Sequence, residues 1–311
     1  VRPEFVAIAD SECYDDLNAN LSGSGIEVGA GPSGIIEAAD ANAEWVMAAI
    51  VGAAGLKPTL QAVRRGATIA LANKECLVCA GELLMSEIER CGSTLLPVDS
   101  EHNAIYQVFD FDRIEAVERI ILTASGGPFR SFNMEEMRNV TPEQAVAHPN
   151  WDMGAKISVD SATMMNKGFE VIEAHWLFNL NPSQIDLVVH PQSIIHSMVE
   201  FKDRSIKAQL GIPDMKIPIS YALTFPHRVY KSASSKFIYN DLTFEDIPIS
   251  KFPCYRIARS VAETGKNSGL ILNAANEISV EYFLNDKITY IDIPNIIEEV
   301  LNRVCLLYTS P

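Results

Sequence analysis

The 311-residue sequence lacks any apolar run approaching the roughly 20 residues that a membrane-spanning helix needs. It also lacks a charged N-terminal segment leading into an apolar stretch, so nothing in it reads as an export signal. Positive charge is scarce: 25 Lys and Arg stand against 40 Asp and Glu, a formal net charge of −15. That balance argues against nucleic acid and anionic membranes as partners, because both demand clustered cations. Cysteine is sparse as well, with 6 residues at irregular spacing, which excludes a disulfide framework and predicts a reducing, cytoplasmic setting. The lone C-x-x-C, Cys76 to Cys79, has no second ligand pair at matching spacing and reads as two small half-buried residues.

What is present is ordinary globular material, 48% hydrophobic and 21% charged, enough to fill the cores of about two domains. From 5 to 98, short apolar runs (5–9, 48–51, 68–72) alternate with helical periodicity (35–49, 58–65), which predicts a parallel α/β sheet. From 98 to 239 the pattern is mixed. Strands are predicted over 118–124, 185–190, 194–201 and 205–210 around one long helix, 162–180, and the polar turn Lys202-Asp203-Arg204 makes the last two strands antiparallel. Beyond 252 the pattern is helical (254–264, 271–285, 294–303), with Gly265 and Asn285 as stops.

Four segments could carry chemistry. Gly29-Ala30-Gly31-Pro32-Ser33-Gly34 fits G-x-G-x-x-G, but Pro32 removes an N–H and no acid follows the next apolar run, so a glycine-rich helix entry is preferred over a phosphate loop. In Val98-Asp99-Ser100-Glu101-His102, two carboxylates two residues apart share one face of an extended backbone, a pattern that suits Mg²⁺ or Mn²⁺. The competing reading is a solvated helix N-terminus capped by Asp99 or Ser100, with the helix entering at Asn103. Ahead of and within the long predicted helix, Ser161, Asn166, Lys167 and Glu170 offer a hydroxyl, an amide, an ammonium and a third carboxylate. This set suits a phosphorylated polyol beside a metal, whereas the plainer reading is an exposed ion pair with a capping serine. Ser125-Gly126-Gly127 ends a predicted strand and exposes backbone donors to an anion, or is simply a tight turn. His148-Pro149-Asn150-Trp151 reads as a lid.

These segments, with VGAAGLKPTL, LANKE, VVHPQSIIHSMVEF, QLGIPDMKIPISYAL and LNAANEISVEYFL, resemble the 1-deoxy-D-xylulose-5-phosphate reductoisomerase family over nearly the whole chain. The resemblance implies metal ligation by Asp99, Glu101 and Glu170, and phosphosugar contacts from Lys74, Ser100, Glu101, Ser125, His148, Ser161, Asn166, Lys167 and Glu170. It assigns catalytic roles to Lys74, Glu101, His148 and Lys167, and NADPH contacts to Asn73, Glu75 and Gly154, with Trp151 on a mobile flap. The implied reaction is NADPH- and Mn²⁺- or Mg²⁺-dependent isomerisation and reduction of 1-deoxy-D-xylulose 5-phosphate to 2-C-methyl-D-erythritol 4-phosphate, in the cytoplasm of a bacterium, by an enzyme that is a homodimer when full length. The implied fold is α/β plus α+β: an incomplete Rossmann-like NADPH-binding domain (1–98), an α+β catalytic domain (99–240) and a linker with a partial C-terminal helical domain (241–311), of which 305–311 reads as a non-native tail. The family's GSTGSIG-like phosphate turn has no counterpart here, and Val1 falls on the order of sixty residues into such an enzyme. The alternative expectation is therefore a catalytically inactive metal- and phosphosugar-binding fragment.

Overall fold

Short parallel strands joined by helices build the first of two compact units, Val1–Cys76 with Glu82–Leu96, and the second comprises Leu77–Gly81 and Pro97–Pro311. The computed structural model describes residues 2–147, 153–229 and 241–304. The predicted flap residues His148 and Trp151 and the tail 305–311 lie outside them.

In the first unit, β1 (Phe5–Ile8) leads through α1 (Tyr14–Leu21) to β2 (Glu27–Ala30), and the two strands pair in parallel. The chain then enters α2 (Gly31–Asp40) directly. Packing explains the glycines: a Cβ on Gly34 would lie 2.7 Å from the Gly29 carbonyl carbon, and Gly31 takes a φ of +66°. Pro32 occupies the first helical turn, where its missing N–H is not needed. The segment is thus a helix entry in which strand and helix backbones approach closely. The helix expected over 35–49 ends earlier, at Asp40. Arg65 helps to satisfy that end by donating to the Ala39 carbonyl (3.1 Å), and it also donates to the Ala43 carbonyl just beyond it (3.2 Å). Next come β3 (Trp45–Ala48), α3 (Leu56–Arg64) and β4 (Thr68–Leu71), with β3 and β4 parallel. The 17-residue helix α4 (Glu75–Cys91), which the sequence reading did not anticipate, leads to β5 (Thr94–Pro97), completing the sheet order β3-β4-β5.

The second unit opens on α5 (Ser100–Val108) and holds a four-stranded sheet of order β7-β6-β8-β9. Its strands are β6 (Val117–Ala124), β7 (Ile185–Val189), β8 (Ile195–Phe201) and β9 (Ile206–Leu210). β6 pairs parallel with β7 and antiparallel with β8, and β8 and β9 form the expected antiparallel pair. Two short helices, α6 (Met134–Met137) and α7 (Pro142–Val146), each begin with a capping box.

The helix expected over 162–180 is broken in two. α8 (Ala155–Ala162) and α9 (Met165–Phe178) meet at Met164, whose φ is +62°, a left-handed conformation that ends one helix and re-aims the next. After α10 (Lys216–Thr224) come α11 (Pro253–Thr264), α12 (Ser268–Leu284) and α13 (Asp292–Val304), with Gly265 and Asn285 at the expected stops. Phe129, Phe169, Phe178, Ile120, Leu122 and Phe283 belong to one buried apolar cluster that joins sheet, α9 and the last three helices. The site-bearing turns are therefore held against a rigid core.

Candidate active site

The edge of this site is the N-terminus of α5. Asp99 is the N-cap, its Oδ1 accepting from the Glu101 backbone N–H at 3.2 Å, so the backbone is not extended through Glu101. The premise of two carboxylates on one strand face is thus corrected. The helix starts at Ser100, not Asn103, and its positive end draws both acids together. Ser100 donates its hydroxyl to Glu101 Oε2 at 2.6 Å.

The first turns of α9 supply the other half. Lys167 Nζ donates to Glu101 Oε1 at 2.6 Å and to Glu170 Oε2 at 2.7 Å, and Asn166 donates to Glu170 Oε1 at 2.6 Å. Glu170 and Lys167 are buried, at 1% and 6% exposure. Burial alone would lower the lysine, but the carboxylates of Glu101, Glu170 and Asp99 outweigh it and hold Lys167 above the usual lysine range. Ligand oxygens of Asp99, Glu101 and Glu170 lie within 4.8 Å of one another. Three hard oxygen donors at that separation fit Mg²⁺ or Mn²⁺.

Ser125 follows β6 in a turn with positive φ at Gly126 and Gly127, and it accepts from the Gly127 N–H at 3.2 Å. Gly127 lies against the last turn of α8: a Cβ there would meet the Ser161 carbonyl oxygen at 2.7 Å. The Ser125 turn and Ser161 are thereby neighbours, and the break at Met164 separates Ser161 from Asn166 and Lys167. Gly154 is the N-cap of α8. In the first unit, Asn73, Lys74 and Glu75 are buried at the start of α4. The Asn73 amide donates to the carbonyls of Ile50 and Gly52 (2.9 Å for the latter) and accepts from the Cys76 N–H at 3.0 Å, so it ties the 50–52 loop to the helix.

Three residues escaped the sequence reading. His102, fully buried, lies with Nε2 2.9 Å from the Glu170 carbonyl oxygen, which fixes that nitrogen as the donor. Its Nδ1 is 3.7 Å from both Asp99 Oδ1 and Glu173 Oε2. Glu173 is one helical turn beyond Glu170, and Asp99, His102 and Glu173 form a second group with metal-ligand spacing among the described residues. The available signal was the i, i+3 spacing of His102 on Asp99, which matters only once a helix starts at Ser100. His196 on β8 is the third. Burial lowers its pKa, and the Glu101 charge partly opposes that.

A parallel α/β unit, together with an α+β unit that carries a lysine-compensated trio of carboxylates and a Ser-Gly-Gly turn packed against Ser161, defines the class: an α/β protein with residues suited to a divalent cation and an anionic ligand. The sequence matches divide along the same chain. Residues 1–81 match the family described as 1-deoxy-D-xylulose 5-phosphate reductoisomerase, and 95–178 and 210–310 match the C-terminal domains of that enzyme. The 1-deoxy-D-xylulose 5-phosphate reductoisomerase of Rhodospirillum centenum is 55% identical over 303 residues, 97% of this chain and 75% of the relative; that of Sinorhizobium fredii is 53% identical over 305 residues, 97% and 78%. Among solved structures, the reductoisomerase from Zymomonas mobilis in complex with NADPH superimposes with a TM-score of 0.90 at 48% identity, covering 99% of this chain and 79% of that one. A DOX-P reductoisomerase in complex with NADPH, fosmidomycin and magnesium gives 0.94 at 41% identity, covering 99% and 80%. The chain belongs to the 1-deoxy-D-xylulose 5-phosphate reductoisomerase family.

Proposed function

We propose that this chain performs the chemistry of its family: 1-deoxy-D-xylulose 5-phosphate is rearranged at its carbon skeleton to an aldehyde, which NADPH reduces to 2-C-methyl-D-erythritol 4-phosphate. The observation that carries the reading is the convergence of Asp99, Glu101 and Glu170 from two helices, with Lys167 between them. Asp99, Glu101 and Glu170 would hold a divalent cation, Mg²⁺ or Mn²⁺, which would supply Lewis acidity to the bound substrate. The protein's own groups do the rest. Ser125, Ser161, Asn166 and Lys167 hold the phosphate end, where the α9 N-terminus offers backbone donors, and the binding energy of that remote group orients the reacting carbons. Ser100 and Lys167 keep the Glu101 carboxylate in place. Lys74 and His148 complete the substrate and catalytic set, and Asn73, Glu75 and Gly154 serve the NADPH.

The segments 1–98, 99–240 and 241–311 are read as cofactor-binding, catalytic and helical supporting parts. The family's cytoplasmic setting is adopted here, and no described helix is long and apolar enough to cross a membrane. A second copy of the chain is the proposed partner. β9 lies at the end of its sheet and exposes Ile206 and Leu210, an apolar edge that pairing with a second copy would cover. Light scattering checks this, with twice the chain mass expected and the single mass contradicting it. The reaction itself is read from the loss of NADPH absorbance when substrate and Mn²⁺ are supplied to the full-length chain. Oxidation that needs both is expected; none with either would overturn the reading.

A further inference from the structure

The last turn of α8 carries Ser161, and two of the hydrogen-bond partners of that turn come from far along the chain. Asp160 is buried, at 2% exposure, yet both of its oxygens are engaged: Oδ1 accepts from Asn276 Nδ2 of α12 at 2.8 Å, and Oδ2 pairs with Lys156 Nζ at 3.0 Å. On the other side of Ser161, the Ala162 carbonyl accepts from the Tyr290 hydroxyl at 2.7 Å. Met164 turns left-handed just beyond, so this carbonyl sits where the helix breaks, among the end groups that need a partner from outside. The Tyr290 ring stacks edge-on against Phe129, with centroids 5.3 Å apart, and Phe129 follows the Ser125-Gly126-Gly127 turn. Tyr290 thus reaches both serine-bearing segments.

Stability alone is a poor reason for this arrangement. Asn276 is fully buried, and its Oδ1 has no hydrogen-bond partner among the described residues, nor do Asn273 Oδ1 and Ser279 Oγ on the same helix. A buried acceptor left without a partner is costly, and an apolar side chain would avoid that cost. Local rules are broken in this way where a geometry has to be specified. Ser161 is the only hydroxyl between the two anchored positions, Asp160 and Ala162.

We propose that Asn276 and Tyr290 are positioning residues: α12, through Asn276, and the connection that follows it, through Tyr290, clamp the last turn of α8 from both sides and so fix Ser161 for the phosphate end of the substrate. The clamp rests on the assignment of Ser161 to phosphate binding. It acts on the phosphate subsite and not on the carboxylate trio, which stands on α5 and α9.

The test uses Tyr290→Phe, which keeps the ring packing and removes one hydroxyl, with Asn276→Leu as the second variant, both in the full-length enzyme. Each is expected to raise KM for the phosphosugar by about 3- to 10-fold, the loss of one hydrogen bond's worth of positioning, while the Mn²⁺ dissociation constant measured by electron paramagnetic resonance stays unchanged. In the double variant Ser161→Ala/Tyr290→Phe, the Tyr290 change should add nothing to the effect of Ser161→Ala, because the two act through one group. A lowered melting temperature with unchanged KM, or additive effects in the double variant, would overturn the clamp. If Ser161→Ala alone leaves KM unmoved, it is the assignment of Ser161 that fails, and the clamp's purpose with it.

Discussion

Lys167 shows how single residues set the character of this site. An ammonium at 6% exposure is tolerable because two carboxylates lie within 2.7 Å of it, and those carboxylates are tolerable together because the ammonium stands between them. The sequence offers Asp99, Glu101 and Glu170 as acids for a cation, but the extended-strand geometry read for the first two does not hold; the Asp99 cap of α5 is what brings them near Glu170. His102 was not legible, although it stands in the same motif. Its direction depends on whether the helix starts at 100 or 103, and only the Asp99 cap decides that. Cys254 offers a prediction at the same scale. Burial, with the nearby Asp160 charge adding to it, pushes the thiol up from 9.0 to about 12. Between those values the folded chain keeps a proton that the unfolded chain releases, so stability present below about pH 9 is lost as the pH rises toward about 12. The urea midpoint of the wild type should therefore fall more steeply from about pH 9 to pH 11 than that of Cys254→Ala, and equal slopes would contradict this.

At the scale of elements, the strands of the second unit were the most legible, whereas β2 was not anticipated and β3 lies inside the helix expected over 35–49. β6, β8 and β9 alternate or run apolar over short stretches bounded by turn residues, and a period of two does not depend on distant contacts. The break between α8 and α9 was invisible because neither Thr163 nor Met164 is a helix breaker, yet Met164 takes a φ of +62°. α4 escaped for a different reason: its first half is buried and shows no polar face. The crossing of α9 and α11 makes a second prediction. A Cβ on Gly168 would lie 2.3 Å from Ala258 Cβ, so Gly168→Ala should destabilise the chain by about 1–3 kcal/mol, as overpacking does. Adding Ala258→Gly should restore most of the loss in a urea titration. A double variant no more stable than the single one would show that the contact is not the cause.

At the scale of the whole molecule, the net charge of −15 and the anionic substrate are reconciled by locality. The chain as a whole carries excess negative charge, and the proposed phosphate subsite answers it locally, with Ser125, Ser161, Asn166 and the buried Lys167. Composition argues against nucleic acid as a partner class and does not reveal which small anion is taken, because that choice rests on a handful of residues between positions 99 and 170. The family relationship joins those residues to a reaction, and the trio of carboxylates is the part on which everything else depends. The most direct measurement is a Mn²⁺ titration of the full-length wild type and of Glu170→Gln, followed by electron paramagnetic resonance with NADPH oxidation read in parallel. The wild type should bind one ion, and the variant should bind it more weakly by at least the roughly 100-fold that loss of even an outer-sphere partner can cause, with turnover lost. Unchanged Mn²⁺ affinity in Glu170→Gln would contradict the assignment of the metal site.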